Sequence, residues 1–131
     1  MVEKKGKVIL VTGASSGIGR ACAIALAQQG HRVYGTSRTA RGEDGGFTML
    51  AMDVTDSASV QAAVQTLLNR EGRIDVVINN AGFGYGGAVE DTSIEEAQAI
   101  LDTNFLGVLR VCHAVLPTMR AQESGTIINV S

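Results

Sequence analysis

Thr12-Gly13-Ala14-Ser15-Ser16-Gly17-Ile18-Gly19 directly follows the apolar run Val8-Ile9-Leu10-Val11 and opens the Ala-rich stretch Ala21 to Gln29. Three glycines therefore fall where a strand turns into a helix. A glycine at the turn admits unusual backbone angles, one at the helix start lets an anion approach the backbone, and one further in lets the helix pack close to the strand. Free N–H groups and the positive end of the helix dipole then face any phosphate held there. Short Gly/Ser turns also arise for steric reasons alone, so the rest of the chain has to decide between the two readings.

Around this turn, Lys7 to Val11 is expected as a first strand, Ile18 to Gln29 as a helix closed by Gly30, and Arg32 to Thr36 as a second strand. Gly42 to Gly46 is read as a polar loop and Phe47 to Met52 as a third strand. Asp56 caps a helix running to about Arg70 and ending near Gly72. Ile74 to Ile78 is a β-branched fourth strand, and a glycine-rich loop, Gly82 to Gly87, follows it. Ser93-Ile94-Glu95-Glu96 has the form of a capping box for a helical region continuing to Met119, and Gly125 to Val130 forms a fifth strand. Strands alternating with helices at this spacing predict an α/β fold, a doubly wound parallel sheet with helices on both faces.

Composition narrows the function classes. With 131 residues, 45% hydrophobic and 18% charged, the chain is expected to be one domain able to bury a core. A net charge of −2 offers no electrostatic case for nucleic acid or an anionic membrane. No run approaches the roughly 20 apolar residues of a membrane span, and Met1 to Lys7 lacks the apolar region of a secretory signal. Cys22 and Cys112 have no partner at metal-ligand spacing, so free thiols in a reducing cytoplasm are expected and no metal site is assigned. His31 and His113 are read as surface or packing residues.

The unusual polar residues fall at one edge. Thr12 and Gly13 follow the first strand, Ser37 and Arg38 the second, Asp53 the third, and Asn79-Asn80 the fourth. These are all carboxyl ends of strands, where open α/β sheets bind ligands.

The spacing G-x-x-x-G-x-G, with Thr12 before it and Ile18 between the last two glycines, resembles the short-chain dehydrogenase/reductase family, whose cofactor loop reads TGxxxGIG. Asn79-Asn80-Ala81-Gly82 is similar to that family's NNAG. The resemblance implies a Rossmann-type sheet of strand order 3-2-1-4-5. It also implies a cofactor site built from Gly13, Ser15, Ser16, Gly17, Ile18, Gly19, Ser37, Arg38, Asp53, Val54, Asn80, Ala81 and Gly82. Asp53 would accept a hydrogen bond from adenine, with Val54 adding apolar contact; starting the turn before Asp56 is its competing role. Asp102-Thr103-Asn104 interrupts good helix with poor helix formers. By resemblance Asn104 helps hold a water in a proton relay to the catalytic lysine, while capping between two separate helices is the alternative.

The family's catalytic centre also needs a serine and a Tyr-x-x-x-Lys pair. Neither Tyr34 nor Tyr85 has a lysine four residues later, and no lysine follows Lys7. Ile127-Ile128-Asn129-Val130-Ser131 resembles the family's fifth strand, which ends in two serines, and Ser131 matches the first. The resemblance thus covers the amino-terminal half of a typical member, and a fragment or part of a longer chain is expected. Phe105, Val108, Cys112, Val115 and Met119 make one apolar stripe, with Leu106, Leu109 and Leu116 beside it, so homo-oligomerisation is expected.

No carboxylate stands after the second strand until Glu43; Ser37 and Arg38 occupy the place where an acidic residue would hold a free 2′-hydroxyl. NADP is therefore expected over NAD. The leading reading is an NADP-dependent oxidoreductase moving hydride between nicotinamide and a small carbonyl or alcohol substrate. A nucleotide-binding module without chemistry is the second, and a methyltransferase on a related sheet the third.

Overall fold

The computed structural model describes residues 6–39, 42–84 and 86–131. Arg41, a candidate second cation for the cofactor, and Tyr85 lie outside the described residues. Among the described residues six strands form one sheet: β1 (Val8–Val11), β2 (Arg32–Ser37), β3 (Gly42–Asp44), β4 (Phe47–Ala51), β5 (Val76–Asn79) and β6 (Thr126–Asn129), in the order β3-β4-β2-β1-β5-β6. The five strands expected from the sequence are all parallel and stand in the expected 3-2-1-4-5 order.

The sixth strand is a correction. Gly42 to Gly46 is not simply a polar loop, because Gly42–Asp44 pairs antiparallel with β4 at the sheet edge. Gly45 and Gly46 supply the reason: both have positive φ, 56° and 88°, which a two-residue hairpin turn with the right twist demands. Glu43 accepts a hydrogen bond from Thr48 across the pair at 2.8 Å, and Asp44 is bound by Arg20 at 2.9 Å.

Helices α1 (Gly17–Gln28), α2 (Ser57–Glu71), α3 (Ile94–Leu101) and α4 (Gly107–Gln122) flank the sheet. One core layer sets Val8, Leu10, Leu50 and Val77 against Val60, Val64 and Leu67 of α2 and Val111 and Val115 of α4. The other sets Ile9, Val11, Val33, Phe47 and Met49 against Ala23 of α1. Caps form where expected: Asp56 accepts from the Ala58 and Ser59 N–H groups, Gly72 closes α2 at φ 74°, and Ser93 accepts from Glu96 N at 3.0 Å.

Residues 94–122 run as one helix with a π-turn at Asp102–Leu106 between α3 and α4. By length and composition this helix could cross a membrane, contrary to the expectation that no such stretch exists. In the fold, Val111, Ala114, Val115 and Met119 are buried in the core layer. The expected stripe holds in part. Val115 and Met119 are buried, but within the regular turns of α4 they are joined by Gly107, Val111 and Ala114, while Val108 and Cys112 are only partly buried and Phe105 is 57% exposed.

Glu71 at the end of α2 joins the layers. Its carboxylate accepts the Tyr34 hydroxyl and an Arg32 N–H, each at 2.7 Å, and these bonds hold it below the usual carboxylate range despite burial. A lowered native value stabilises the fold above the ordinary carboxylate range, and that contribution is lost as pH falls through the native value. Glu71→Gln is expected to cost about 2 kcal/mol at neutral pH and to flatten stability against pH on the acid side, read by urea unfolding from pH 7 to pH 3. An unchanged slope would remove Glu71 from the acid response.

Candidate functional site

The carboxyl edge of β1, β2, β4 and β5 opens onto a cleft of about 750 Å³. Gly13, Ser15, Ser16 and Ile18 line it from the first turn, Ser37 and Arg38 from β2, Asp53 and Val54 from the end of β4, and Asn80, Ala81 and Gly82 from the end of β5. Thr36, Met52, Thr55, Phe83 and Thr103 complete the wall. Of the sequence-derived residues, Gly17, Gly19 and Asn104 do not line the cleft.

Gly19 sits behind the turn, where a Cβ would lie 2.2 Å from Gly13 O and 2.4 Å from Asn80 Nδ2. Only the missing side chain allows that approach. Gly19→Ala is expected to destabilise the fold by about 1–3 kcal/mol through overpacking against backbone, measurable by urea unfolding. Wild-type stability in that variant would mean that the first turn has room to move.

Two motifs far apart in sequence are stitched together here. The buried Thr12 hydroxyl accepts the N–H groups of Asn80 and Ala81, both at 3.0 Å, and Asn80 Nδ2 donates to Gly13 O at 3.0 Å. Asn79, the last residue of β5, instead donates from Nδ2 to Asn129 Oδ1 on β6 at 3.0 Å. The glycine turn and the Asn-Ala-Gly turn are thereby one rigid unit.

Three features of this unit suit an anion. Ser16 occupies the N-cap of α1 without a side-chain cap, and no acidic residue stands in the first turn. Gly13 and Gly17 take positive φ, 65° and 60°, and a Cβ on Gly17 would meet nothing within 4 Å, so its face is open. Thr36 Oγ1, buried in the cleft wall, has no hydrogen-bond partner among the described residues.

Asp53 makes the expected turn before Asp56 and also lines the cleft. Its Oδ1 accepts Thr55 Oγ1 at 2.7 Å and Thr55 N at 2.9 Å. Those bonds, with Arg38 and Arg110 adding attraction, hold its carboxyl below the usual range, so it is an ionised acceptor at neutral pH.

Asn104 lies in the π-turn and binds the backbone of Phe83 at both ends, accepting Phe83 N at 2.9 Å and donating to Phe83 O at 2.7 Å. The helix is continuous, so capping between two separate helices is not its role. A Cβ on Gly82 would fall 2.8 Å from Asn104 Oδ1, which explains the small residue there. Sequence reasoning passed over Thr36, Met52, Thr55 and Thr103 as lining; a hydroxyl at the penultimate position of a strand that ends on the binding edge was the available signal for Thr36.

A doubly wound sheet with a glycine cradle at its carboxyl edge defines a nucleotide-binding class of α/β protein. The short chain dehydrogenase family model matches residues 7–131, and the chain belongs to that family. It is similar to 3-ketodihydrosphingosine reductase of Bacteroides thetaiotaomicron, 51% identical over 125 residues that make up 95% of this chain and 46% of that protein. The 3-oxoacyl-acyl-carrier-protein reductase of Thermotoga maritima is 34% identical over 97% of this chain and 56% of its own length. Among solved structures, a short-chain dehydrogenase from Streptomyces avermitilis superposes with a TM-score of 0.89 at 37% identity, over 99% of this chain and 50% of that one. The chain thus spans about half the length of the relatives it matches.

Proposed function

We propose that this chain supplies the cofactor-binding part of an NADP(H)-dependent oxidoreductase acting on a small carbonyl or alcohol compound. The observation that carries the reading is the cleft itself, where an uncapped helix start, an open glycine face and Arg38 converge on one edge. The α1 N-terminus and the Ser15-Ser16-Gly17-Ile18 backbone would hold the pyrophosphate, Ser37 and Arg38 a 2′-phosphate, and Asp53 and Val54 the adenine. Asn80, Ala81 and Gly82 would run beside the ribose and nicotinamide. When bound, the nicotinamide supplies or accepts a hydride.

The chain's own residues hold, orient and screen. Thr12 and Asn80 fix the cradle, and Asn104 fixes Phe83 at the rim. Asn104 is spent on Phe83 through its amide, so any part in a water relay falls to its backbone carbonyl. Both curated relatives described above are named as reductases, which supports the reductive direction. Self-association through the exposed Phe105, Leu109 and Leu116 is part of the same proposal, as is the absence of nucleic-acid and membrane partners and a cytoplasmic location.

A binding module without chemistry is the second reading, and the missing Tyr-x-x-x-Lys pair favours it for these 131 residues. Titration with NADPH, NADH and S-adenosylmethionine tests the assignment. Saturable binding of NADPH in preference to the other two is expected; preference for S-adenosylmethionine would overturn it.

A further inference from the structure

Val54 both lines the cleft and is buried in the core, at the end of a segment that has left the sheet. Its carbonyl is held from across the fold. Arg110 Nη1 donates to Val54 O at 2.9 Å and to Asp102 O at 3.1 Å, while Nη2 donates to Asp102 Oδ1 at 2.5 Å. The Arg110 side chain is only 21% exposed and does not line the cleft.

A second contact points the same way. Gly107 backs onto the Val54 side chain so closely that a Cβ there would lie 2.9 Å from Val54 Cγ2. Asp102 opens the π-turn that carries Thr103, in the cleft wall, and Asn104, which grips Phe83. One guanidinium therefore ties the Asp53–Thr55 segment of the cleft wall to the π-turn that carries Thr103. The π-turn also explains why a long planar donor is needed: it displaces the Asp102 carbonyl from the regular helical pattern, where Gly107 N and Arg110 both reach it.

We propose that Arg110 is a positioning residue for nucleotide affinity, acting through Val54 to hold the Asp53–Thr55 segment in the shape that receives the adenine half of the cofactor. The inference rests on the nucleotide reading above. It separates the tie from the charge: a lysine keeps the positive charge but cannot span Val54 O and the Asp102 carbonyl and carboxylate together.

The experiment is calorimetric titration of the purified protein with adenosine 2′,5′-bisphosphate and with NADPH, beside thermal unfolding. Arg110→Met is expected to weaken both ligands about tenfold, and Arg110→Lys to recover only part of that. Val115→Ala, a core truncation in the same helix, lowers thermal stability and leaves both affinities in place. Wild-type affinity in Arg110→Met, full recovery in Arg110→Lys, or a loss in Val115→Ala as large as that in Arg110→Met would each overturn the proposal. Should Arg110→Met not fold, Arg110→Lys decides by itself, because it keeps the charge and loses the span; weaker bisphosphate binding supports the tie and unchanged binding refutes it. A wild-type protein that binds neither compound refutes the nucleotide reading itself, a result distinct from all of these.

Discussion

Replacing Ser37 with Asp and Arg38 with Leu is expected to reverse cofactor preference from NADPH to NADH. Both residues stand at the end of β2 in the cleft wall, and no carboxylate follows in sequence until Glu43. In the wild type a guanidinium can pair with a 2′-phosphate through two parallel N–H donors, and the serine hydroxyl adds a bond without repulsion. In the double variant the attraction is gone, and a carboxylate repels the phosphate while accepting bonds from a free 2′-hydroxyl. Arg38 is exposed, so solvent screening keeps its contribution at the low end. Even so, the ratio of the two affinities should swing by about 100-fold. Competitive titration of both cofactors against both proteins measures it, and equal affinities in the wild type would refute the assignment.

The second large effect concerns turnover. The 131 residues by themselves are expected to bind NADPH yet show no carbonyl-dependent oxidation of it, because they contain no tyrosine followed by a lysine four positions on. Absence of the general acid lowers the rate by at least the roughly 10²–10⁴-fold that such a group contributes. Absorbance at the reduced nicotinamide band, followed with a panel of ketones, reads the outcome directly. Steady oxidation near the rate of an intact reductase would show that another group in this stretch moves the proton.

The parallel core of the fold was legible because its strands are short apolar runs, β-branched in β1, β5 and β6, set between glycines and helix caps, and Asp56 and Ser93 announce their helices. The antiparallel β3 was not. Gly42-Glu43-Asp44 has no apolar face for periodicity to detect, and it exists only because Gly45-Gly46 turns it back onto β4. Sequence flagged Asp102-Thr103-Asn104 as a defect in a helix, and the structure resolves the defect as an extra residue in one turn. Within α4 itself the period is regular, but periodicity alone does not say which of two adjacent lines, Val108 and Cys112 or Gly107 and Val111, faces the core.

The site shows the same division. The glycine turn, Asn80 to Gly82, and the residues after β2 and β4 meet at one cleft as their strand ends require. Contacts made by long side chains across the fold are another matter. Arg110 stands 56 residues from Val54 and reads in sequence as one more solvated charge on a helix. Thr12 likewise gives no local hint that its hydroxyl anchors a turn 68 residues away.

The little strand β3 has a consequence for how this protein behaves in company. A parallel sheet ending at β4 would offer a row of unsatisfied N–H and C=O groups to any neighbouring chain, a template for runaway pairing. Gly42-Glu43-Asp44 occupies that row with three residues, two of them acidic, and Arg20 fastens Asp44 in place. What it presents outward is too short and too charged to seed another strand. On this flank the sheet is hemmed like the edge of a cloth, and it offers a neighbouring chain little to pair with.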